Sequence, residues 1–306
     1  MNLLYVLSYL TIAVFILAIA KRFIKFAAMP AHLRWELYPV AHEGKKSVYG
    51  GSYFEDTDWW KEKLQQNKLN ELTVMLPEIF LLQGIWEHNR KMWLWSFLMH
   101  HGVYWCAGMA GLSILYITLQ FAGWGYSGVS SFVDLFIAVT GTIGLAAGTI
   151  GTLGMLGLRF FDAKMGRFNS FATYFNLFFL LAIFGIGFIN LIAGVDIFRQ
   201  TVGFFGALLG IGFSGYTPGV ILFLTLAILF VLYLPFTHMT HFFTKYFTYH
   251  SVRWNDEPNL PGGKLEKHIG EYLQYKPTWS AKHIGADGKK NWAEVATSEV
   301  LKNDKK

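Results

Sequence analysis

Three observations predict an all-α integral membrane protein with five transmembrane helices, its N-terminus outside and its C-terminus cytoplasmic. The chain is 53% hydrophobic and 18% aromatic but only 15% charged, against roughly 25% charged residues in ordinary soluble domains. Five apolar stretches approach or exceed the ~20 residues a helix needs to cross the hydrocarbon core. Of the 26 Lys and Arg residues, 25 fall on one side of a five-span arrangement. Basic loops face the cytoplasm, so this asymmetry sets the orientation.

The first stretch, Leu3 to Ala20, has no basic residue before it and is followed by Lys21, Arg22 and Lys25. That charge order is the reverse of a cleavable signal and predicts an anchor helix over residues 1–22. Residues 23–91 read as a cytoplasmic segment. They hold Arg34-Trp35-Glu36-Leu37-Tyr38-Pro39, then Tyr49-Gly50-Gly51-Ser52-Tyr53-Phe54, then Trp59-Trp60. Such an aromatic load predicts an ordered surface segment rather than a linker, with turns at Pro39 and Gly50-Gly51. Leu72 to Trp86 is apolar but short and contains Pro77, so an interfacial helix is expected there.

Residues 92–245 hold the remaining spans, at about Met92–Phe121, Phe132–Phe160, Phe171–Ala193 and Val220–Phe243. In the third span Gly141, Gly144, Gly148, Gly151, Gly154 and Gly157 recur every three or four residues. This stripe on one face predicts close packing of another helix, with room for a flat ligand as the second reading. The nearly uncharged 194–218 connection is expected to form a short amphipathic helix. Residues 246–306 form a polar cytoplasmic tail carrying Trp254, Tyr272, Tyr275, Trp279 and Trp292. Pro258, Pro261 and Pro277 argue against a continuous helix there, and the aromatics read as anchors for a partner.

Cys106 is the sole cysteine, which excludes an internal disulfide, a cysteine-ligated zinc site and cysteine-held iron–sulfur clusters within this chain. Chemistry therefore falls to histidine. His32, His42, His88, His250, His268 and His283 lie in water-facing segments, whereas His100, His101, His238 and His241 lie within the predicted spans. Imidazoles in hydrocarbon are expensive and mark functional sites. His100 is nine residues past Lys91, about 13 Å along a helix, and His238 and His241 come late in the oppositely running fifth span. Two histidine pairs at one depth are what a bis-histidine haem requires. His100 and His101 diverge by about 100°, so one of them would face the iron. His238 and His241 would share a helical face, one as ligand and the other beside a propionate. Lys245 and Arg159 are candidate propionate contacts.

Leu98-Met99-His100-His101-Gly102-Val103 and Pro235-Phe236-Thr237-His238-Met239-Thr240-His241 resemble the ligand motifs of the respiratory nitrate reductase gamma subunit family. That family includes five-span cytochrome b subunits of sulfate reducers and of heterodisulfide-reductase-type membrane complexes. The Arg34–Pro39 stretch and Trp279-Ser280-Ala281-Lys282-His283-Ile284-Gly285 resemble the latter branch. The likeness covers all five spans in topology but only short motifs in residues. It implies that His100 and His241 are the axial ligands of haem b, with His101 and His238 as alternates or supporting groups. The nitrate reductase members carry a second ligand pair, which would fall on Ala110 and Phe223 here. Neither side chain ligates iron, so one haem is expected.

The implied role is that of a membrane subunit of a quinone-linked oxidoreductase. It would pass electrons between a quinone such as menaquinone and a cytoplasmic iron–sulfur partner of heterodisulfide-reductase type, in the inner membrane during anaerobic respiration. Trp93, Trp95, Trp105 and the glycine stripe are candidate quinone walls. The alternatives are a haem-free transporter or proton channel using the in-span histidines, or a plain membrane anchor for a soluble enzyme.

Overall fold

The apolar runs fold as helices throughout a computed structural model of the chain. It describes residues 2–29, 40–43, 46, 49, 52–62, 67–124, 128–166, 169–211, 215–255, 259–281 and 286–298. The aromatic stretch at 34–39, the Gly50-Gly51 turn, His32, His283 and most of the 279–285 motif lie outside these residues. In chain order the helices used below are α1 (Asn2–Ala27), α2 (Lys68–Leu76), α3 (Gln83–His88), α4 (Arg90–Phe121), α5 (Gly128–Phe161), α6 (Phe171–Ile192), α7 (Ile197–Leu208), α8 (Pro218–Tyr233), α9 (His241–Phe247), α10 (Lys264–Leu273) and α11 (Trp292–Thr297). Among the described residues, five helical stretches are long and apolar enough to cross a membrane: Leu3–Ala27, Arg90–Phe121, Gly128–Phe161, Phe171–Ile192 and Pro218–Phe236. The protein is thus an all-α, multi-pass membrane protein.

The chain divides into two units. One comprises Met1–Ala20 with Leu72–Thr240, the other Lys21–Glu71 with His241–Lys306. The apolar 72–91 segment therefore belongs with the spans rather than with the polar segment that precedes it.

In the first unit three helix starts have a local cause. Asn89 accepts from the Met92 amide at 3.1 Å and starts α4. Ser170 and Thr173 form a reciprocal capping box at α6, and Asp196 caps α7 through the Arg199 amide. These caps satisfy amides that have no partner within the helix. The predicted amphipathic helix of the 194–218 connection is α7, with Ile197 and Phe204 buried. Lys91 pairs with Asp162 at 2.8 Å, and this hydrogen bond holds the Asp162 carboxyl below the usual carboxylate range.

The glycine stripe is filled by protein. A Cβ on Gly151 would fall on the Met99 backbone, one on Gly144 on Cys106, one on Gly154 on Trp95, and one on Gly148 on Phe184. Gly102 of α4 meets Gly148 backbone to backbone. The helix-packing reading holds, and these glycines and Trp95 do not wall an open slot. Small residues allow α4 and α5 to approach closely where lipid gives no hydrophobic drive to association. Gly151→Val is therefore expected to lower stability by about 1–3 kcal/mol, read as a reduced Tm of the purified protein. Gly157→Val, where a Cβ meets nothing within 4 Å, should change it little.

Leu72 to Trp86 is broken rather than one helix. α2 stops at Pro77, a π-type turn spans Pro77–Leu81, and Leu82 takes a left-handed conformation (φ 52°) before α3. This segment lies along α4: Trp93 Nε1 donates to Leu81 O at 2.7 Å and Tyr104 Oη to Ile79 O at 3.0 Å. The donors give partners to the Ile79 and Leu81 carbonyls at the end of the π-type turn, where left-handed Leu82 interrupts the helical ladder.

The fifth span also departs from expectation. Helix α8 ends at Tyr233, followed by 3₁₀ turns at Leu234–Phe236 and His238–Thr240 with extended backbone at Thr237. Pro235 lacks the amide proton a continuing helix needs and its ring collides with the preceding turn. Val220–Phe243 is not one helix.

The second unit is ordered by aromatics and buried polar contacts. Phe23 and Phe26 pack on Phe247, and Tyr249 on Trp254, which is buried. The buried Glu43 carboxylate accepts from Ser52 Oγ at 2.8 Å. The tail forms α10, a two-stranded antiparallel hairpin, β1 (Ser280–Ala281) with β2 (Ala286–Asp287), and α11. It is not one continuous helix, in keeping with its prolines. Backbone amides of Lys290 and Lys289 hold the Asp287 carboxyl below its ordinary value.

Candidate functional site

The histidine-bearing stretches have different local structures. His100 sits about three turns into α4 and is half-buried. Its Nδ1 donates to the Ser96 carbonyl at 2.7 Å, with Ser96 Oγ at 3.3 Å. That bond fixes the tautomer: the proton is on Nδ1 and the lone pair on Nε2. Histidines that bind metal usually give their other N–H to such a carbonyl, which orients the ring. The donor chemistry and orientation therefore fit an axial ligand. The bond uses the backbone oxygen of residue 96, so no side-chain type in the sequence announces it.

His101 makes the same bond, Nδ1 to Phe97 O at 3.1 Å. Its ring stacks on Phe97, centroids 3.9 Å apart, and meets Tyr104 edge-on at 5.5 Å. This continues an aromatic column from Trp86 through Trp93 and Phe97. One face of His101 is thus occupied by packing.

His238 opens the 3₁₀ turn past the end of the fifth span and is exposed. It belongs to the first unit, whereas His241 is the first residue of α9 in the second and is also exposed. The expected α-helical face shared by the two is not formed, because Pro235 ends the helix before either is reached.

Arg159 Nη1 donates to Asn169 Oδ1 at 2.5 Å, and Asn169 returns a bond to Arg159 O. This ties the end of α5 to the start of α6. Arg159 Nε is buried with no hydrogen-bond partner. Lys245 lies in α9 with Nζ 6.0 Å from the Tyr249 ring centroid. Among the proposed quinone walls, Trp93 donates to Leu81 O, Trp95 packs on the glycine stripe, and Trp105 is 38% exposed.

Ala110 and Phe223, where the resemblance would put a second ligand pair, both line one cavity of about 380 Å³ in the first unit. Its walls come from α1, α4, α6, α7 and α8. Sequence reading missed this site. Its signal was the pair Ser8 and Thr11 in an otherwise apolar first span, which alone does not mark a cavity. Comparison with family models, with curated proteins and with solved structures gives no match for this chain.

Proposed function

We propose that the chain is the b-type cytochrome subunit of a quinone-linked oxidoreductase complex in the inner membrane, its N-terminus outside. It passes electrons between membrane quinone and a cytoplasmic iron–sulfur partner of heterodisulfide-reductase type. One haem b supplies the one-electron chemistry when bound. His100 and His241 are its ligands on the resemblance of their motifs, with His101 and His238 as supporting groups. The observation that supports the reading is the His100 Nδ1 bond to the Ser96 carbonyl, which orients the ring as in histidines that bind metal through the other nitrogen. Arg159 and Lys245 are the cations proposed to neutralise propionates.

The resemblance would place a second ligand pair at Ala110 and Phe223, and neither residue can bind iron, so a single haem is expected. A reduced-minus-oxidised spectrum of the purified chain is expected to show a b-type band, and a pyridine haemochrome assay one haem per chain. Absence of the band removes the cytochrome reading. A stoichiometry of two removes the single-haem reading.

A further inference from the structure

Helix α6 sets a depth scale for the membrane. Its 22 residues measure about 33 Å, so Phe171 and Ile192 stand at the two edges of a ~30 Å hydrocarbon core. Helix α5 transfers that scale to α4. A Cβ on Gly148 would meet Phe184, and one on Gly102 would meet Gly148. Phe184 is thirteen residues past Phe171, roughly 20 Å from that edge, so Gly102 lies deep in the core. The Lys91–Asp162 ion pair marks the same edge on α4 and α5, eleven residues before Gly102 and about 16 Å from it.

On this scale residues 72–88 do not lie flat. A helix in the membrane plane touches a spanning neighbour at one level, whereas this segment meets α4 at two. Leu81 O accepts from Trp93, whose Cα is about 3 Å past Lys91. Ile79 O accepts from Tyr104, whose Cα is about 20 Å past Lys91 and whose ring leans back toward the helix start. Phe80 packs on the same ring, centroids 5.9 Å apart. The tip at 79–80 therefore reaches on the order of 10–15 Å beyond Lys91, and the nine residues of α2, about 13 Å long, match that depth. Helix α3 leads back: Trp86 packs on Trp93 at 4.7 Å and lies under the Arg90 guanidinium.

The residue pattern agrees. Lys68 and Glu71 stand in the first turn of α2, Glu87 and His88 end α3, and Glu78 is the sole charged residue from Leu72 to Trp86. Gly84 makes room for it: a Cβ there would lie 3.3 Å from Glu78 Oε1, so the carboxylate rests on the returning arm, as an ionisable group held within a membrane must rest on protein. Backbone that leaves the helix at such depth is tolerated only where protein supplies its hydrogen bonds, and Trp93 and Tyr104 supply them.

We propose that residues 72–88 form a re-entrant hairpin in place of the expected interfacial helix. It enters and leaves through the membrane face that holds Lys91 and Asp162, its tip at the depth of His100. Leu76, Phe80 and Leu81 are exposed at or near the tip, and their partner is the acyl-chain region of the bilayer. The inference rests on the packing of α4, α5 and α6 and is independent of the cytochrome reading.

The test is spin-label accessibility in the full chain reconstituted into phospholipid vesicles, with Cys106→Ala removing the native thiol. Single cysteines replace Phe80 at the tip, Leu69 (72% exposed) at the start of α2, and Leu153 (52% exposed) on α5. Leu153 is nine residues before Asp162, about 13 Å from the edge, and so is the reference for the depth of the tip. The ratio of collisions with oxygen to collisions with a water-soluble nickel chelate is expected to be the same at Phe80 as at Leu153, and well below both at Leu69. A ratio at Phe80 equal to that at Leu69 places the segment at the interface and overturns the proposal. A label at Phe80 that neither reagent reaches also overturns it, because protein then covers the tip. Labels at Leu76 and Leu81 give the same reading if Phe80→Cys fails to insert. Tyr104→Phe removes the donor to Ile79 O, which water cannot replace in hydrocarbon, so Tm should fall and the Phe80 label should shift toward the Leu69 ratio. No change in either would show a carbonyl already in contact with water, and would overturn the hairpin.

Discussion

Replacing His100 with alanine is expected to abolish haem incorporation, leaving an inserted, monodisperse chain with no b-type band. Losing an axial ligand removes an iron–nitrogen bond that the remaining half-buried surface cannot replace. The helix itself loses little, since alanine is the best helix former, and the Ser96 carbonyl keeps its α-helical backbone environment. His101→Ala should retain a low-spin haem, because that ring is engaged in stacking on Phe97. On the fifth-span side His241→Ala is expected to behave like His100→Ala, and His238→Ala to keep haem with an altered potential. The measurement is the haem-to-protein ratio of each purified variant. Haem retained in His100→Ala and lost in His101→Ala would reverse the assignment.

The second large effect concerns the tail. Ending the chain after Asn255 removes α10, the β1–β2 hairpin and α11, but no proposed haem ligand. Tyr275 is 61% exposed, Trp279 45% and Trp292 38%. Large aromatics held outward by ordered elements are what a partner's pocket needs, and left bare they are an aggregation liability. Trp279 and Trp292 lie 5.9 Å apart, and Asn291 and Glu294 cap the helix that carries Trp292. The truncated chain is expected to keep the full haem spectrum while releasing the soluble iron–sulfur subunit. Electron transfer between that subunit and quinone should fall to background. Co-purification of the truncated chain with its partner at undiminished turnover would move the docking surface to the 31–60 segment.

Much of the architecture is written in local pattern. Apolar runs of membrane length determine five spans because no other backbone arrangement satisfies its own hydrogen bonds in hydrocarbon without a closed barrel. The glycine spacing of α5 determines that a helix packs there, since the period of three or four places every Cα on one face. The caps at Asn89, Ser170 and Asp196 are likewise local, each needing only a side-chain oxygen at the right position. Histidines within apolar segments could be recognised as candidates from their setting alone.

Three features needed the tertiary structure. The partner of each stripe glycine is one: which of α4, α6 or α7 covers it depends on how helices distant in sequence assemble. The path of 79–88 along α4 is another, because the Leu81 and Ile79 carbonyls find their donors on Trp93 and Tyr104, beyond the reach of a helical ladder. The third is the slot around Thr11. Ser8, Thr11 and Thr201 are equivalent as letters in apolar helices. Only the assembled helices show that Ser8 and Thr201 bond back to their own backbone, that Thr11 Oγ1 does not, and that all three residues line one cavity, because a void is a property of the surfaces that fail to meet.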